Sequence, residues 1–532
     1  MEPASSLGRL SRSDRLAQAV PADGLEFDVS GPEAYLPTDA PPSEAYAAGL
    51  RLYERRQYTR AVAALSPVVD GRSGDASLRV AQAEFTVGKA LTHLELDHSA
   101  WLTFDSISAR GPAHPHYRRT LPWLARLSLR LGESPQLYET LGRYDQAAVL
   151  ATESQLDEDA YFHLLYLRAH AAFRARELAL ATRLLRRIPE RSRWFAKARL
   201  LQAVVHVRAR SARPAVQTLR ALLRTLDEND TPAEDPGRMR DLAWLNLARV
   251  YYSAANVRDE QADLELRGRM VGSAVDAWSR VDVESPVWVD ALLESSWALF
   301  VTGEHERALG KLHAVLSPYF EEQPYPEAHV IRAVIWFEHC AFSDAQATIH
   351  EFHRRYDPLL RELRDIPQRY ADPPVAAALA RRIVARRDRL PLRASRALRK
   401  ELSDREFLRR VEYLEQVRQE IERVEAADEV LGATPRILDE LMLVESFATD
   451  ALGQALLDRV ARLQRELQDS MNEMDAIQVE IHRLRREGAP TQPTQPAEIV
   501  ADQEHQIWIF DGEYWPDELP YYRQSIPYAC AR

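Results

Sequence analysis

Residues 88–112, GKALTHLELDHSAWLTFDSISARGP, decide the fold of this chain. They contain two short helical patterns, in which small residues lie where two helices must approach closely and large residues fill the space beside a neighbour. A proline closes the second pattern. The residues that carry these patterns are Gly88, Leu91, Ala100, Phe104, Ile107 and Pro112. Because one helical hairpin cannot bury its apolar face alone, the stretch predicts a stack of such hairpins.

The same offsets occur in residues 43–70 and again further along the chain, and they resemble the tetratricopeptide (TPR) repeat. That repeat is a 34-residue helix–turn–helix unit with a small residue at position 8, a large one at position 11, alanine at position 20 and proline near position 32. The alanine marker falls at Ala61, Ala100, Ala181, Ala215, Ala274, Ala308 and Ala345. The resemblance covers residues 43–358. Generic helical hairpins of another α-solenoid type are the alternative.

The spacing of the marker shows where the repeats diverge. The intervals 181→215, 274→308 and 308→345 are at or near the TPR period. The long interval from residue 100 to 181 predicts one degenerate repeat, with helices near residues 117–131 and 135–149. The interval from residue 215 to 274 contains an insertion, residues 257–270. The fold class is therefore all-α, with a TPR-like α-solenoid of about seven or eight helix pairs.

Composition limits the functional classes. Glycine is scarce, with 19 in 532 residues, whereas nucleotide-binding α/β folds need glycine at their phosphate-binding turns. The net charge of −11 does not suggest a nucleic-acid binder. The two cysteines, Cys340 and Cys530, are far apart and predict neither a disulfide framework nor a zinc site. Without a secretory signal or a transmembrane run, cytoplasm is the default location, and periplasm or envelope stays open if the N-terminus is incomplete.

Beyond the solenoid, the chain changes character several times. Its expected segments are a disordered or draped N-terminal arm (1–42), the TPR-like solenoid (43–358), a basic helical connector (359–403), a coiled-coil hairpin (404–487), a Pro/Gln linker (488–498) and an aromatic C-terminal tail (499–532). Residues 507–515 of the tail suggest a possible β-hairpin. Such an aromatic tail is expected to pack back on the helical body, and the alternative is a docking peptide for another protein.

The hairpin is predicted from a 3.5-residue period. Its first helix has the seam Leu414, Val417, Ile421, Val424 and Leu431, and its second keeps heptad spacing from Val460 to Leu484. The connection is short, so the two helices should fold back as an antiparallel hairpin. An intermolecular coiled coil, which would make the protein an oligomer, is the alternative.

Catalytic signatures are missing from the sequence. It has no GxxxxGK[ST], HExxH, GxSxG or CxxC motif. The one constellation that could hold a metal is His339-Cys340 with His350 and His353, which is better explained as ordinary surface histidines. No catalytic residue, cofactor or metal is therefore expected, and the protein is not expected to be an enzyme.

The TPR resemblance implies a concave groove lined by the first helix of each pair, which holds a partner protein or peptide. Residues at the matching positions are mostly aromatic or apolar, without the asparagines that help grip a terminal carboxylate in one TPR subset. They suit an amphipathic or aromatic-rich segment. The candidate partner-binding residues are Tyr46, Tyr53, Phe85, Lys89, Tyr166, His170, Phe173, Arg249, Trp297, Phe300 and Phe337. The alternatives are that these side chains belong to the core or that the chain's own tail fills the groove.

The functional expectation is a non-enzymatic interaction scaffold. One alternative is a TPR scaffold of a secretion or motility assembly in the cell envelope. Another is a nucleic-acid-associated factor that uses the basic stretch from Arg381 to Lys400. That stretch lacks interleaved aromatic residues for base stacking, and its arginines are expected to pair with the acidic helix that follows, so nucleic acid is disfavoured.

Overall fold

The computed structural model describes residues 40–228, 232–255, 264–426, 435–487 and 506–526. Within these ranges the regular structure is helical, without a β-strand. The α-helices are α1 Glu44–Glu54, α2 Tyr58–Val69, α3 Ser77–His93, α4 Asp97–Ala109, α5 Tyr117–Leu131, α6 Pro135–Gly142, α7 Gln146–Leu150, α8 Glu158–Arg174, α9 Leu178–Arg186, α10 Phe195–Arg208, α11 Ala212–Asp227, α12 Pro236–Ala255, α13 Leu264–Trp278, α14 Trp288–Val301, α15 His305–Val315, α16 Pro326–Glu338, α17 Phe342–Arg369, α18 Pro373–Val384, α19 Leu392–Glu401, α20 Arg405–Ala426 and α21 Pro435–Arg486.

One turn geometry recurs between the two helices of a pair. Six turns contain a residue in the left-handed region, with φ between 55° and 81°. The next N–H in each turn bonds back to a carbonyl five residues earlier, as from Leu96 to Leu91 at 3.1 Å, which closes the end of the first helix. The six residues are Arg56, Glu95, Arg176, Arg210, Gly303 and Cys340. Each lies five residues before a marker alanine, and those alanines are fully buried. The repeats are therefore TPR-like in local geometry as well as in sequence.

Small residues lie where the paired helices touch. At Gly88 the ring of Phe104 occupies the space that a Cβ atom would need, and Leu65 does the same at Gly49. Both large side chains are fully buried. The small-and-large pattern of residues 88–112 is thus the contact between α3 and α4.

The divergent regions follow the same plan with local changes. The degenerate repeat is present as α5 with α6 and α7, because its second helix is broken near residues 143–145. Helix α17 continues to Arg369, so the boundary proposed at residue 358 lies inside a helix. The basic connector forms α18 and α19, joined by another turn with a left-handed residue, Arg386. This pair extends the helical stack.

Helices α20 and α21 pack side by side and antiparallel. Asp404 near the start of α20 pairs with Arg459 of α21, and Arg418 further along α20 pairs with the earlier Glu445 of α21. The two helices therefore run in opposite directions. Helix α21 has 52 residues and is therefore about 78 Å long. Near its start Arg436 lies 3.3 Å from Asp70 at the end of α2. It therefore reaches from the first repeats to the last, which it contacts with its second half.

The heptad seam of α21 is buried by the solenoid. Gln464 and Gln468 bond to the backbone of Leu363 and the side chain of Arg364 on α17, both at 2.7 Å. Leu463, Leu467 and Met474 share one apolar cluster with α16 and α17. Helix α20 packs against α21 only up to about Arg459. The apolar seam of α21 beyond that residue therefore packs on α16 and α17 and not on α20.

The described part of the tail, residues 506–526, has bends and turns and no strand, so the possible β-hairpin is not formed there. It lies on α15, where Lys311 Nζ donates to the carbonyl of Pro520 at 2.5 Å. The separation of the two cysteines predicted no disulfide framework, and in the structure Cys340 is disulfide-bonded. Most of the N-terminal arm and the Pro/Gln linker lie outside the described residues.

Candidate partner-binding face

The face formed by the first helices of the pairs, called the inner face here, carries the eleven candidate residues. These helices are α1, α3, α5, α8, α10, α12, α14 and α16. The structure divides the candidates into an N-terminal group in packed surroundings, a central group at a cavity and a C-terminal group that includes the exposed Trp297.

The N-terminal group serves mainly to pack repeats together. Phe85 is 5% exposed and stacks on His116 with ring centroids 4.7 Å apart. Lys89 Nζ lies 4.4 Å from the ring centroid of Tyr53, and burial lowers the pKa of Lys89. Tyr46 is half-buried at the start of α1. Phe85 is therefore a core residue, which was the alternative foreseen from the sequence.

Two residues of the central group line a cavity of about 600 Å³. Tyr166 and His170 of α8 form one wall, and Phe173, one turn further on, packs under the guanidinium of Arg208 at 5.0 Å. His170 stacks on Tyr138 of α6 with centroids 4.1 Å apart. Burial lowers the pKa of His170, which favours the neutral form of this ring.

The opposite side of the cavity comes from the hairpin. Helix α20 contributes cationic side chains and Tyr413, and α21 contributes small and apolar residues such as Leu452. The floor is aliphatic and comes from α10 and α12. The floor residues are Leu200, Leu201, Val204, Met239 and Leu242. The cavity therefore combines an apolar interior with a charged rim.

Glu133 joins the hairpin to the solenoid at this rim. Its carboxylate lies 2.9 Å from Arg409 and 3.9 Å from Lys197, and it accepts a hydrogen bond from the hydroxyl of Tyr138 at 2.9 Å. Burial alone would raise the pKa of this carboxyl, but Arg409, Lys197 and the hydroxyl stabilise the charged form more strongly. The pKa of Glu133 is lowered to about 2, so the carboxylate is charged at neutral pH.

In the C-terminal group Trp297 lies on an open surface. It is 46% exposed and Val301 is 50% exposed, whereas Phe300 between them is half-buried, with its ring centroid 5.6 Å from that of His305. Val204 and Val207 on α10 are also exposed, at 40% and 46%. These residues occupy first-helix positions of α10 and α14, and Val204 also lines the cavity.

The other two candidates of this group are held by neighbours. Arg249 makes a bidentate ion pair with Glu294, from Nη2 to Oε1 at 2.5 Å and from Nε to Oε2 at 3.0 Å, and this fixes it between α12 and α14. Phe337 is half-buried against Phe342, with centroids 5.8 Å apart. Neither side chain is an open anchor in this structure.

Sequence reasoning missed the contribution of the hairpin to this site. Glu133, Tyr138 and Arg409 come from a turn, a second helix and α20, none of which the repeat pattern places on the inner face. The aromatic density of residues 135–145 and the two arginines at 409–410 were visible signals. Nothing in the sequence indicated that they would meet.

Four of the nine basic side chains from Arg381 to Lys400 make ion pairs. Arg381 contacts Glu415 of α20, as expected of the acidic helix, while Arg396 lies 3.1 Å from Glu322. Arg399 lies 3.3 Å from Asp388 of its own segment. These carboxylates reduce the positive potential that a phosphate backbone would meet.

The residues considered as a metal site, His339, Cys340, His350 and His353, do not form one group of ligands. His339 lies 2.7 Å from His305, and His353 lies 3.1 Å from Asp357. In the residues that the structure describes, no group of three or more His, Cys, Asp or Glu side chains is placed to hold a metal ion. Over the same residues, no helix has both the length and the apolar character needed to cross a bilayer.

Comparisons with known proteins return helical repeat structures. Neither protein-family models nor curated proteins give a match. Two structures of monomeric IFIT1 mutants, with Gppp-AAAA and with m7Gppp-AAAA, are 14% and 15% identical to this chain. Their TM-scores are 0.28 and 0.27, and they cover 78% and 66% of this chain and 80% and 79% of their own chains.

A third structure, the TPR domain of P58(IPK), is 14% identical with a TM-score of 0.18. It covers 78% of this chain and 98% of its own. The helix packing and turns described above, rather than these likenesses, establish the TPR-like architecture of the chain.

Proposed function

We propose that this protein is a non-enzymatic scaffold that binds an extended or helical segment of a partner protein along its inner face. The observation that carries the proposal is that Val204, Val207, Trp297 and Val301 are exposed at first-helix positions of α10 and α14, and that Val204 also lines the cavity beside Tyr166. Exposed apolar side chains mark an interaction site when they lie on one face. The aromatic side chains would serve as anchors.

The rim of the cavity indicates the chemistry of the partner. Five cationic side chains and two carboxylates surround it. The cations are Arg174, Lys197, Arg405, Arg409 and Arg410, and the carboxylates are Glu133 and Glu406. The apolar interior suits aliphatic or aromatic side chains, and the cationic excess suits neighbouring Asp or Glu. The preferred segment is therefore amphipathic and acidic.

A peptide-binding experiment tests this proposal. Three fluorescein-labelled amphipathic peptides, which share apolar residues but carry acidic, basic or neutral polar faces, are titrated with the full chain. We expect the acidic peptide to bind most tightly and the basic peptide most weakly. Binding of none of the three, or equal binding of all, would contradict the proposed chemistry.

Two substitutions locate the binding surface. Val204→Asp and Val301→Asp place a negative charge on exposed positions of the inner face, so they should weaken binding of the acidic peptide about tenfold or more through lost apolar contact and charge repulsion. Val283→Asp changes a similarly exposed valine in the turn between α13 and α14 and is the matched control. Unchanged affinity in both inner-face variants would place the binding site elsewhere.

One observation favours a second candidate, a scaffold of the cell envelope. Cys340 is disulfide-bonded, and disulfides persist mainly in oxidising compartments. Fractionation of the native cells, with detection of the full chain, tests this candidate. Recovery in the cytoplasmic fraction with reduced thiols would refute it.

A further inference from the structure

Helix α21 carries a second apolar surface on the side that faces away from the fold. Met442, Leu443 and Phe447 are 55%, 56% and 57% exposed. Leu443 and Phe447 are four residues apart and therefore lie one above the other on the helix. Leu441 and Leu452, which are fully buried, lie on the opposite side. Met442, Leu443 and Phe447 are called the outer patch below.

The aromatic tail is a contrasting case, because the fold supplies its neighbours. The ring centroid of His313 on α15 lies 4.6 Å from that of Phe510, 4.7 Å from that of Tyr514 and 5.3 Å from that of Tyr522. Phe447 instead leaves more than half of its surface open to solvent. An open phenylalanine with apolar neighbours on the same helix marks an interaction surface.

Carboxylates bracket the outer patch along α21. Asp439 lies one turn before Leu443, and Asp450 lies about one turn after Phe447. Both aspartates are exposed, and neither makes an ion pair with a residue that the structure describes. Unpaired carboxylates at both ends of an apolar patch favour a partner that carries Lys or Arg at the matching places.

The end of α20 adds negative charge beside the same part of α21. Arg418 pairs with Glu445 at 2.6 Å across the antiparallel hairpin, so the last turn of α20 lies alongside the first turns of α21. Glu422 and Glu425 are exposed in that last turn. Arg436, at the start of α21, already pairs with two carboxylates, at 2.8 and 3.3 Å. The surroundings of the outer patch are therefore acidic.

We propose that the outer patch binds a cationic amphipathic helix of a partner protein. The apolar stripe of that helix covers Leu443 and Phe447. Its Lys or Arg side chains pair with Asp439 and Asp450. A second copy of the same face would bring like charges together, so charge favours a different chain over self-association. Leu452, which lines the cavity, is on the other side of α21, so this site is separate from the inner face and does not rest on the function proposed for it.

A binding experiment with the full chain tests the outer patch. The probe is a fluorescein-labelled synthetic helix with a leucine stripe flanked by lysines, and its control carries glutamates in place of the lysines. Leu443→Lys and Phe447→Lys should each weaken binding of the lysine peptide about tenfold or more, since each removes an apolar contact and adds a like charge. Val479→Lys changes a residue that is 67% exposed on the same helix, about 48 Å from Phe447, and should leave the affinity unchanged.

Charge is tested separately. The double variant Asp439→Asn with Asp450→Asn keeps the shape and the apolar contacts, so it should weaken binding of the lysine peptide severalfold and reduce its dependence on salt. Three side chains on a convex surface bury less area than the cavity of the inner face does. The lysine peptide should therefore bind the chain more weakly than acidic or neutral peptides.

Two results would overturn the proposal: unchanged affinity in both Leu443→Lys and Phe447→Lys, or an equal loss in Val479→Lys. Sedimentation of the full chain tests the other occupant, since a dimer that Phe447→Lys dissociates would assign the outer patch to a second copy and refute a separate partner. Binding of the glutamate peptide should not weaken in Phe447→Lys, so failure of this site and failure of the inner-face proposal are distinguishable.

Discussion

Glu133→Gln is the sharpest test of how the hairpin is attached to the solenoid. The substitution keeps the shape of the side chain and removes its charge, so Arg409 loses its 2.9 Å partner in a mostly buried site. The pKa of Glu133 is lowered from 4.5 to about 2, and at 1.36 kcal/mol per pH unit this corresponds to about 3 kcal/mol. Removing one partner of a buried ion pair costs about 3–5 kcal/mol, in agreement.

The effect is expected locally, because α20 is the element that Glu133 holds. Backbone hydrogen exchange in residues 405–426 should show a free energy of local opening lowered by about 2–4 kcal/mol. Lys197 also lies beside Glu133, but it keeps an ion-pair partner in Glu234 at 3.0 Å, so the loss of free energy is smaller than if both cations were left unpaired. Glu139→Gln, on a side chain that is 78% exposed, is the matched control and should change the opening free energy by less than about 0.5 kcal/mol.

Acid provides an independent check on the same carboxylate. A group with a depressed folded pKa stabilises the fold above its unfolded pKa, so protection of α20 should be complete above pH 4.5 and fall towards pH 2. Glu133→Gln should reduce this dependence. The reasoning is refuted if the variant leaves exchange of α20 as slow as in the wild type, or if Glu139→Gln has an equal effect.

Four further changes test the close approaches and the tail. Gly453→Ala should lower the melting temperature, because its Cβ would meet the backbone of Pro373 where α18 lies against α21. Gly88→Ala should destabilise by about 1–3 kcal/mol in denaturant titration, since an aromatic ring fills that space. Gly272→Ala has open space and should be neutral or stabilise by up to about 1 kcal/mol in the same titration. Burial lowers the pKa of His313 to about 4, so the tail, followed by tryptophan fluorescence, should loosen as pH falls from 6.5 to 4, and His313→Gln should remove this dependence.

Much of the solenoid was predictable because its contacts are local. A repeat buries its own small and large residues against the next helix, so the offsets of Gly88, Ala100 and Phe104 report contacts made within about 16 residues. The same locality explains why the turn residues five positions before each marker alanine share one geometry.

The sequence by itself determined the helices, the repeat register and the apolar seam of α21, since each depends on side-chain periodicity. Only the tertiary structure decided which surface covers that seam, because a heptad pattern states that one face is apolar and not which helix buries it. Likewise, Glu133 meets Arg409 across 276 residues, and the tail reaches α15 from about 200 residues away. Such contacts have no period in the sequence and exist only when the whole chain has folded.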